Sequence, residues 1–225
     1  MKNVIIIGSN SEIAKSLIQI LVKGREFNLF TISSSDKNLK SSHVHLKINN
    51  YFNECFKIID FIKSIENPTI IFFNGYLQEN RPHQYPQNHE ILNTIKINFQ
   101  IPYFLTFLIH KSVNYEKIIL ISSVAAIKPR YKNYIYGTAK YLIEESLKSL
   151  GLNNYLIIRF GMVKTTMSLK HKKAPFLLSS RSAANVIFKN LENSGVVYPS
   201  YGVSFFAIII KLLPIKLLNY IESKY

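Results

Sequence analysis

Tyr136 and Lys140 stand four residues apart in the run Tyr136-Gly137-Thr138-Ala139-Lys140. In a helix that spacing puts a phenol and an ammonium group on one face, one turn apart. A positive charge there can lower the phenol's pKa from its ordinary value of about 10 toward working pH. Such a pair can give a proton to, or take one from, a carbonyl or alcohol oxygen during hydride transfer. The chain is rich in both residue types, so the pair gains meaning from its company. Ser123, thirteen positions before Tyr136, closes the apolar run Ile119-Leu120-Ile121-Ser122-Ser123.

The elements that must hold these groups begin at the N-terminus. Val4-Ile5-Ile6-Ile7 breaks at Gly8, passes through Ser9-Asn10, and enters a helix whose natural N-cap is Ser11. A strand, a tight turn and a helix N-terminus turn free N–H groups and a positive dipole end toward an anion, which suits a phosphate. A buried strand with an ordinary turn would read the same way, and the segment alone leaves both open. Further along come Phe73-Asn74-Gly75 after another apolar run, then Asn98 within a long helical stretch.

Taken in order, this set resembles the short-chain dehydrogenase/reductase family over nearly the whole chain. The resemblance implies a Rossmann-type α/β fold and an NAD(P)H-dependent oxidoreductase. By the same likeness, Tyr136 is the general acid, Lys140 lowers its pKa and holds the cofactor ribose, and Ser123 hydrogen-bonds the carbonyl oxygen. Asn98 supports a proton relay. Gly8, Ser11, Ile13, Gly75, Tyr136, Lys140, Gly161 and Thr165 border the cofactor. Glu12 and Ala14 stand where the family's glycine-rich turn has its second and third glycines. A carboxylate at 12 would repel a pyrophosphate unless its side chain points away. An acid closing the second strand would favour NAD through the ribose hydroxyls, a base NADP, and Ser33-Ser34-Ser35-Asp36-Lys37 permits either.

At 225 residues the chain suits one NAD(P)-binding domain over 1–200 with an apolar, basic tail over 201–225. Residues roughly 3–8, 28–33, 43–48, 69–73, 116–122, 154–159 and 195–198 read as strands alternating with helices. That pattern implies a doubly wound parallel sheet with helices on both faces, followed by an apolar basic C-terminal helix. The lone Cys55 excludes an intrachain disulfide and reads as a small buried side chain; no Cys/His spacing suits zinc. Met1-Lys2 leads straight into the first strand without a secretory signal, so a cytosolic location, or one on the cytosolic face of a membrane, is expected. The formal net charge of +15 attracts anions of many kinds. Its lysines are dispersed and no nucleic-acid motif is present, so nucleic acid is not expected as a partner. Lys170-His171-Lys172-Lys173 forms one local cluster, either a phosphate-seeking lid or a solvated basic loop.

The tail, Val203 to Leu218, is strongly apolar but interrupted by Lys211, Pro214 and Lys216. It is too broken for a spanning helix of about 20 residues. A helix lying in the headgroup region of an anionic membrane fits it, as does a helix packed on the domain or on a second copy. Ser11-Glu12-Ile13, residues 161–167, Ala174-Pro175-Phe176, Val197-Tyr198-Pro199 and Leu213-Pro214 narrow the likeness to a subgroup. That subgroup contains the ketoreductase subunit of decaprenylphosphoryl-ribose 2′-epimerase. It implies reduction of a 2-keto pentofuranose carried on a polyprenyl phosphate, in cell-envelope polysaccharide synthesis. It also implies a flavin oxidase as partner enzyme and a homo-oligomer. A soluble reductase of another carbonyl, such as an acyl or nucleotide-sugar ketone, is the alternative.

Overall fold

A short run of apolar residues with no polar alternation suits a strand buried on both faces. Val4 to Ile7 is such a run, and each of its side chains is at most 1% exposed. The computed structural model describes residues 1–35, 44–77, 85–152, 154–168 and 176–224. Seven parallel strands form the central sheet: β1 (Lys2–Ile7), β2 (Phe27–Ser33), β3 (Val44–Lys47), β4 (Thr69–Phe72), β5 (Lys117–Ser123), β6 (Tyr155–Phe160) and β9 (Gly195–Val197). Their order is β3-β2-β1-β4-β5-β6-β9, and all seven coincide with the runs expected from sequence to within about two residues at either end. A second, two-stranded ribbon pairs β7 (Val163–Lys164) with β8 (Leu178–Ser179).

Alternate residues of each strand feed two cores. Ile5, Ile7, Ile70, Phe72, Ile118 and Leu120 pack with α2 (Cys55–Lys63), α4 (Ile101–Ser112) and α5 (Tyr134–Ser149). Val4, Ile6, Ile71, Ile119, Leu156 and Ile158 pack with α1 (Glu12–Gly24) and α6 (Ser180–Lys189). Each fully buried Ile or Leu contributes roughly 1.5–3 kcal/mol relative to exposure, which is why the central strands are so rich in them. Cys55 is buried in the first of these cores.

Strand order reverses between β1 and β4, whose neighbours lead outward in opposite directions. Outside the carboxyl ends of strands at such a switch point a doubly wound sheet opens a crevice. Gly8 follows β1, Phe73-Asn74-Gly75 follows β4 and Ser123 ends β5, so the sheet delivers all three to one edge. Between β4 and β5 the chain runs through α3 (Asn88–Ile95), a π-helical turn (Lys96–Gln100) and α4. The tail forms α7 (Tyr201–Leu212) and α8 (Ile215–Lys224), broken at Leu213-Pro214 where proline ends the ladder. No helix among the described residues is long and apolar enough to cross a membrane.

Candidate active site

The crevice is a cleft of about 1220 Å³ running from Gly8 and Ser33 past Tyr136 to the C-terminal helices. Ser123 leaves β5 in extended conformation, and its Oγ accepts the Ala125 amide at 3.2 Å. The chain then makes two short 3-10 turns, Val124–Ala126 and Tyr131–Asn133, and enters α5. Tyr136 and Lys140 sit one turn apart in that helix, as their spacing requires. Gly137 decides how near the pair comes to Ser123. A Cβ there would lie 2.7 Å from Ala125 O and 3.2 Å from Pro129 Cα, so only glycine allows α5 this close to the turn after β5.

Burial governs the electrostatics. It pushes the Tyr136 phenol up to about 12, against a hydrogen bond with Ser123 that pulls it down; the Glu144 carboxylate adds to the rise. It pulls Lys140 down to about 8, with Glu144 opposing. Lys140 Nζ donates to Asn74 O at 3.2 Å and Ile121 O at 3.1 Å, and lies 6.0 Å from the centre of the Tyr136 ring. Burial thus acts against the lowered phenol expected from sequence. Spacing brings the ammonium near, but taking a phenolate out of water is costly, and spacing does not report burial.

Glu144, one turn beyond Lys140, was not marked by the sequence reading. It is fully buried and takes a fork of bonds from Arg159 on β6: Nε at 3.0 and 3.2 Å and Nη2 at 2.5 Å. Ser122 Oγ donates to it at 2.5 Å, and Arg159 Nη1 donates to the Tyr198 hydroxyl at 2.9 Å. Ser122 and Arg159 are register partners across β5 and β6. The available signal was a charged residue inside the apolar run of a central strand.

Asn98 lies in the π-helical turn and is completely buried. Its Nδ2 donates to Thr94 O at 2.9 Å and Tyr76 O at 2.6 Å, and Tyr76 N donates to its Oδ1 at 3.2 Å. By taking the Thr94 carbonyl that an α-helical ladder would give to backbone, it sustains the bulge and clamps the turn after β4.

At the other end of the cleft, Gly8 has φ of +82°, and a Cβ on it would lie 3.1 Å from Asn74 N. Ser11 stands at the N-cap of α1 without spending its hydroxyl there. Asn74 Oδ1 is buried without a hydrogen-bond partner. Beside them the Tyr51 hydroxyl approaches Gly8 and Asn74, and burial pushes it up to about 12. A close glycine cradle, a free helix N-terminus and an unmatched buried acceptor fit a dinucleotide's phosphates and amide. Ile13, Gly75, Gly161 and Thr165 all line the same cleft. Glu12 does turn aside. Its carboxylate accepts Thr166 N at 2.6 Å and the Thr166 hydroxyl, and these bonds hold it below the usual carboxylate range. Ser33 and Ser35 hydroxyls meet Asn10 Oδ1 at 3.4 and 3.2 Å at the end of β2. Asp36, Lys37, the 170–173 basic cluster and Ala174-Pro175 lie outside the described residues.

Far from being an appendage, the tail walls the cleft. Val203, Phe206 and Ile221 line it, and Phe206 meets the ring of Phe176 at 6.4 Å between centroids. The opposite side of α7 exposes Tyr201, Phe205, Ile208 and Leu212.

This architecture, a seven-stranded parallel Rossmann-type sheet with helices on both faces, is shared with solved short-chain dehydrogenases. No family model matches the chain. A short-chain dehydrogenase from Burkholderia cenocepacia J2315 in complex with NADP superposes with a TM-score of 0.76 at 15% identity, covering 95% of this chain and 100% of that one. One from Sphingobium yanoikuyae in complex with NADPH gives 0.75 at 14% identity, with 92% of each chain covered. The carbonyl reductase Sniffer of D. melanogaster gives 0.73 at 19% identity, covering 88% of this chain and 97% of that one. At these identities the likeness establishes the fold.

Proposed function

We propose that the chain is an NAD(P)H-dependent ketoreductase of the short-chain dehydrogenase/reductase type. The observation that carries this is the convergence of Ser123, Tyr136 and Lys140 beside a glycine cradle in one cleft. Gly8, Ser11, Ile13, Gly75, Gly161, Thr165 and Lys140 would hold the dinucleotide, which when bound supplies a hydride to a ketone carbon. Tyr136, kept protonated by burial, gives its proton to the ketone oxygen as charge develops there. Ser123 orients that oxygen, and Lys140 stabilises the phenolate left behind. Asn98 holds the turn bearing Asn74 and Gly75, from which Lys140 takes one of its carbonyl partners. The three similar structures, two described with NADP or NADPH and one as a carbonyl reductase, support the same reading.

The substrate we propose is a keto-sugar, specifically a 2-keto pentofuranose on a polyprenyl phosphate, reduced at the cytosolic face of a membrane after a flavin oxidase has made the ketone. Support comes from the subgroup likeness and from the apolar outer stripe of α7 beside Lys211 and Lys216. Exposed Tyr103 and Phe107 on α4 and Tyr141 and Leu142 on α5 offer a face for a second copy. A soluble reductase of an acyl or nucleotide-sugar ketone is favoured instead by the burial of Val203, Ala207 and Ile210, which makes α7 a packing element as well.

Oxidation of NADH and NADPH, followed at 340 nm with keto-sugars, tests the activity. Tyr136→Phe should still bind dinucleotide while turnover falls by a factor on the order of 10² or more. Undiminished reduction by that variant would overturn the assignment.

A further inference from the structure

Between Ser123 and Tyr136 two polar side chains reach the cleft that the proton-transfer set does not use. Asn133 occupies the N-cap of α5, where an Asn side chain ordinarily accepts a backbone N–H of the first turn. It makes no such bond. Its Oδ1 is buried without a hydrogen-bond partner, and the residue lines the cleft. An orphaned buried acceptor is destabilising, so an Asn held in that state awaits a donor that arrives with a ligand. Asn133 precedes Tyr136 by three residues, which places the two one above the other at the start of the helix. A molecule whose oxygen sits at Tyr136 can therefore present a neighbouring hydroxyl to Asn133.

Arg130 opens the 3-10 turn that ends at Asn133 and lines the same cleft. A guanidinium is permanently charged and its fork of donors matches phosphate or carboxylate oxygens. The loop bearing both residues is fastened from outside. Asn219 Oδ1 on α8 accepts Tyr131 N at 3.0 Å, and Lys128 Nζ donates to Lys211 O at 2.8 Å and Leu213 O at 2.7 Å at the end of α7. Both side chains thus project from a backbone fixed at either side, the condition for selective binding without ordering loss.

We propose that Arg130 and Asn133 form the substrate-selecting subsite of this cleft. Asn133 accepts a hydrogen bond from the hydroxyl next to the carbonyl of an α-hydroxy ketone, and Arg130 binds a phosphate carried by the same molecule. This rests on the reductase reading of Ser123, Tyr136 and Lys140 and adds what must accompany the carbonyl.

Two ketone pairs separate the parts: hydroxyacetone against acetone, and dihydroxyacetone phosphate against dihydroxyacetone. The wild type should favour the first member of each pair by about tenfold or more in kcat/KM, because a site built around a substrate hydroxyl or anion rejects the analogue lacking it. Asn133→Ala should erase the hydroxyl preference and Arg130→Gln the phosphate preference, each leaving the other. Asn133→Asp keeps an acceptor, so it should retain the hydroxyl preference while weakening phosphate binding; it also serves if the Ala variant melts. Calorimetric titration of ribose 5-phosphate against ribose reads the same subsite without turnover. Preferences and affinities unchanged in the variants overturn the subsite while the reductase stands. A wild type that reduces no ketone, yet binds ribose 5-phosphate in an Arg130-dependent way, overturns the reductase reading and upholds the subsite.

Discussion

Removing the Glu144 carboxylate should both loosen the fold and move the pH range of activity. The side chain is 0% exposed, while that of Arg159 is 16% exposed. Deleting one member of a buried pair leaves the other's charge uncompensated, at a cost of about 3–5 kcal/mol. Arg159 would keep its bond to the Tyr198 hydroxyl and some contact with water, which places Glu144→Ala near the lower end, about 3 kcal/mol. Urea unfolding reads this directly. Replacing both partners by apolar residues, Glu144→Leu with Arg159→Met, should recover most of the loss, since well-packed apolar groups replace buried pairs at little cost. The effect on Lys140 is separate. Burial holds it at about 8 instead of 10.5, with Glu144 resisting. The penalty of that lowered pKa is present below about pH 8 and fades as pH rises from there toward 10.5, where the unfolded chain also gives up its proton. Without Glu144 the ammonium is lost at still lower pH. The alkaline limb of kcat/KM should therefore shift toward neutrality in Glu144→Gln, and also in the double variant whose stability has returned. A loss below about 1 kcal/mol in Glu144→Ala, or a double variant that stays unstable, would refute the buried pair. An alkaline limb that does not move would refute its hold on Lys140.

Two further perturbations separate packing from chemistry. Gly137→Ala should cost about 1–3 kcal/mol by overpacking against Ala125 O. It should also cut turnover by about tenfold or more through displacement of Tyr136; Gly24→Ala, whose Cβ would meet nothing within 4 Å, is the control. Phe205→Asp with Leu212→Asp, at positions 66% and 77% exposed, should abolish sedimentation with anionic vesicles while the circular dichroism spectrum persists; wild type that never sediments would make α7 a packing element only.

The sheet was legible because its central strands, buried on both sides, are mostly apolar and alternate with helical segments along the chain. Ser123 follows from the same topology, since the sheet sends every strand's carboxyl end to one edge, while the four-residue spacing of Tyr136 and Lys140 puts both on one face of α5. What spacing cannot carry is desolvation. It set Lys140 beside Tyr136 but not the burial that raises the phenol. Glu144 and Glu145 are adjacent acids in one helix, yet one is sealed against Arg159 and the other meets Lys148 at the surface. Only the packing of β6 against α5 tells them apart. The tail was ambiguous because α7 is apolar on nearly every side, Ser204 and Lys211 apart. Val203, Ala207 and Ile210 turn inward and Tyr201, Phe205, Ile208 and Leu212 outward, so no polar stripe marks its solvent side.

The bond between Glu12 and Thr166 joins positions 154 apart in sequence, one in the first turn of α1 and one just past β7. Neither group is matched alone: a carboxylate at 12 without its donors would face the cleft, and the Thr166 amide without its acceptor would be left to solvent. Descent should therefore treat them as a unit. Among homologues, chains that carry glycine at 12 should be free to vary at 166, while those that carry an acid at 12 should keep a small hydroxyl residue there. The two sites should change together, or through a short-lived intermediate that, on the proposed reading, would bind a dinucleotide poorly.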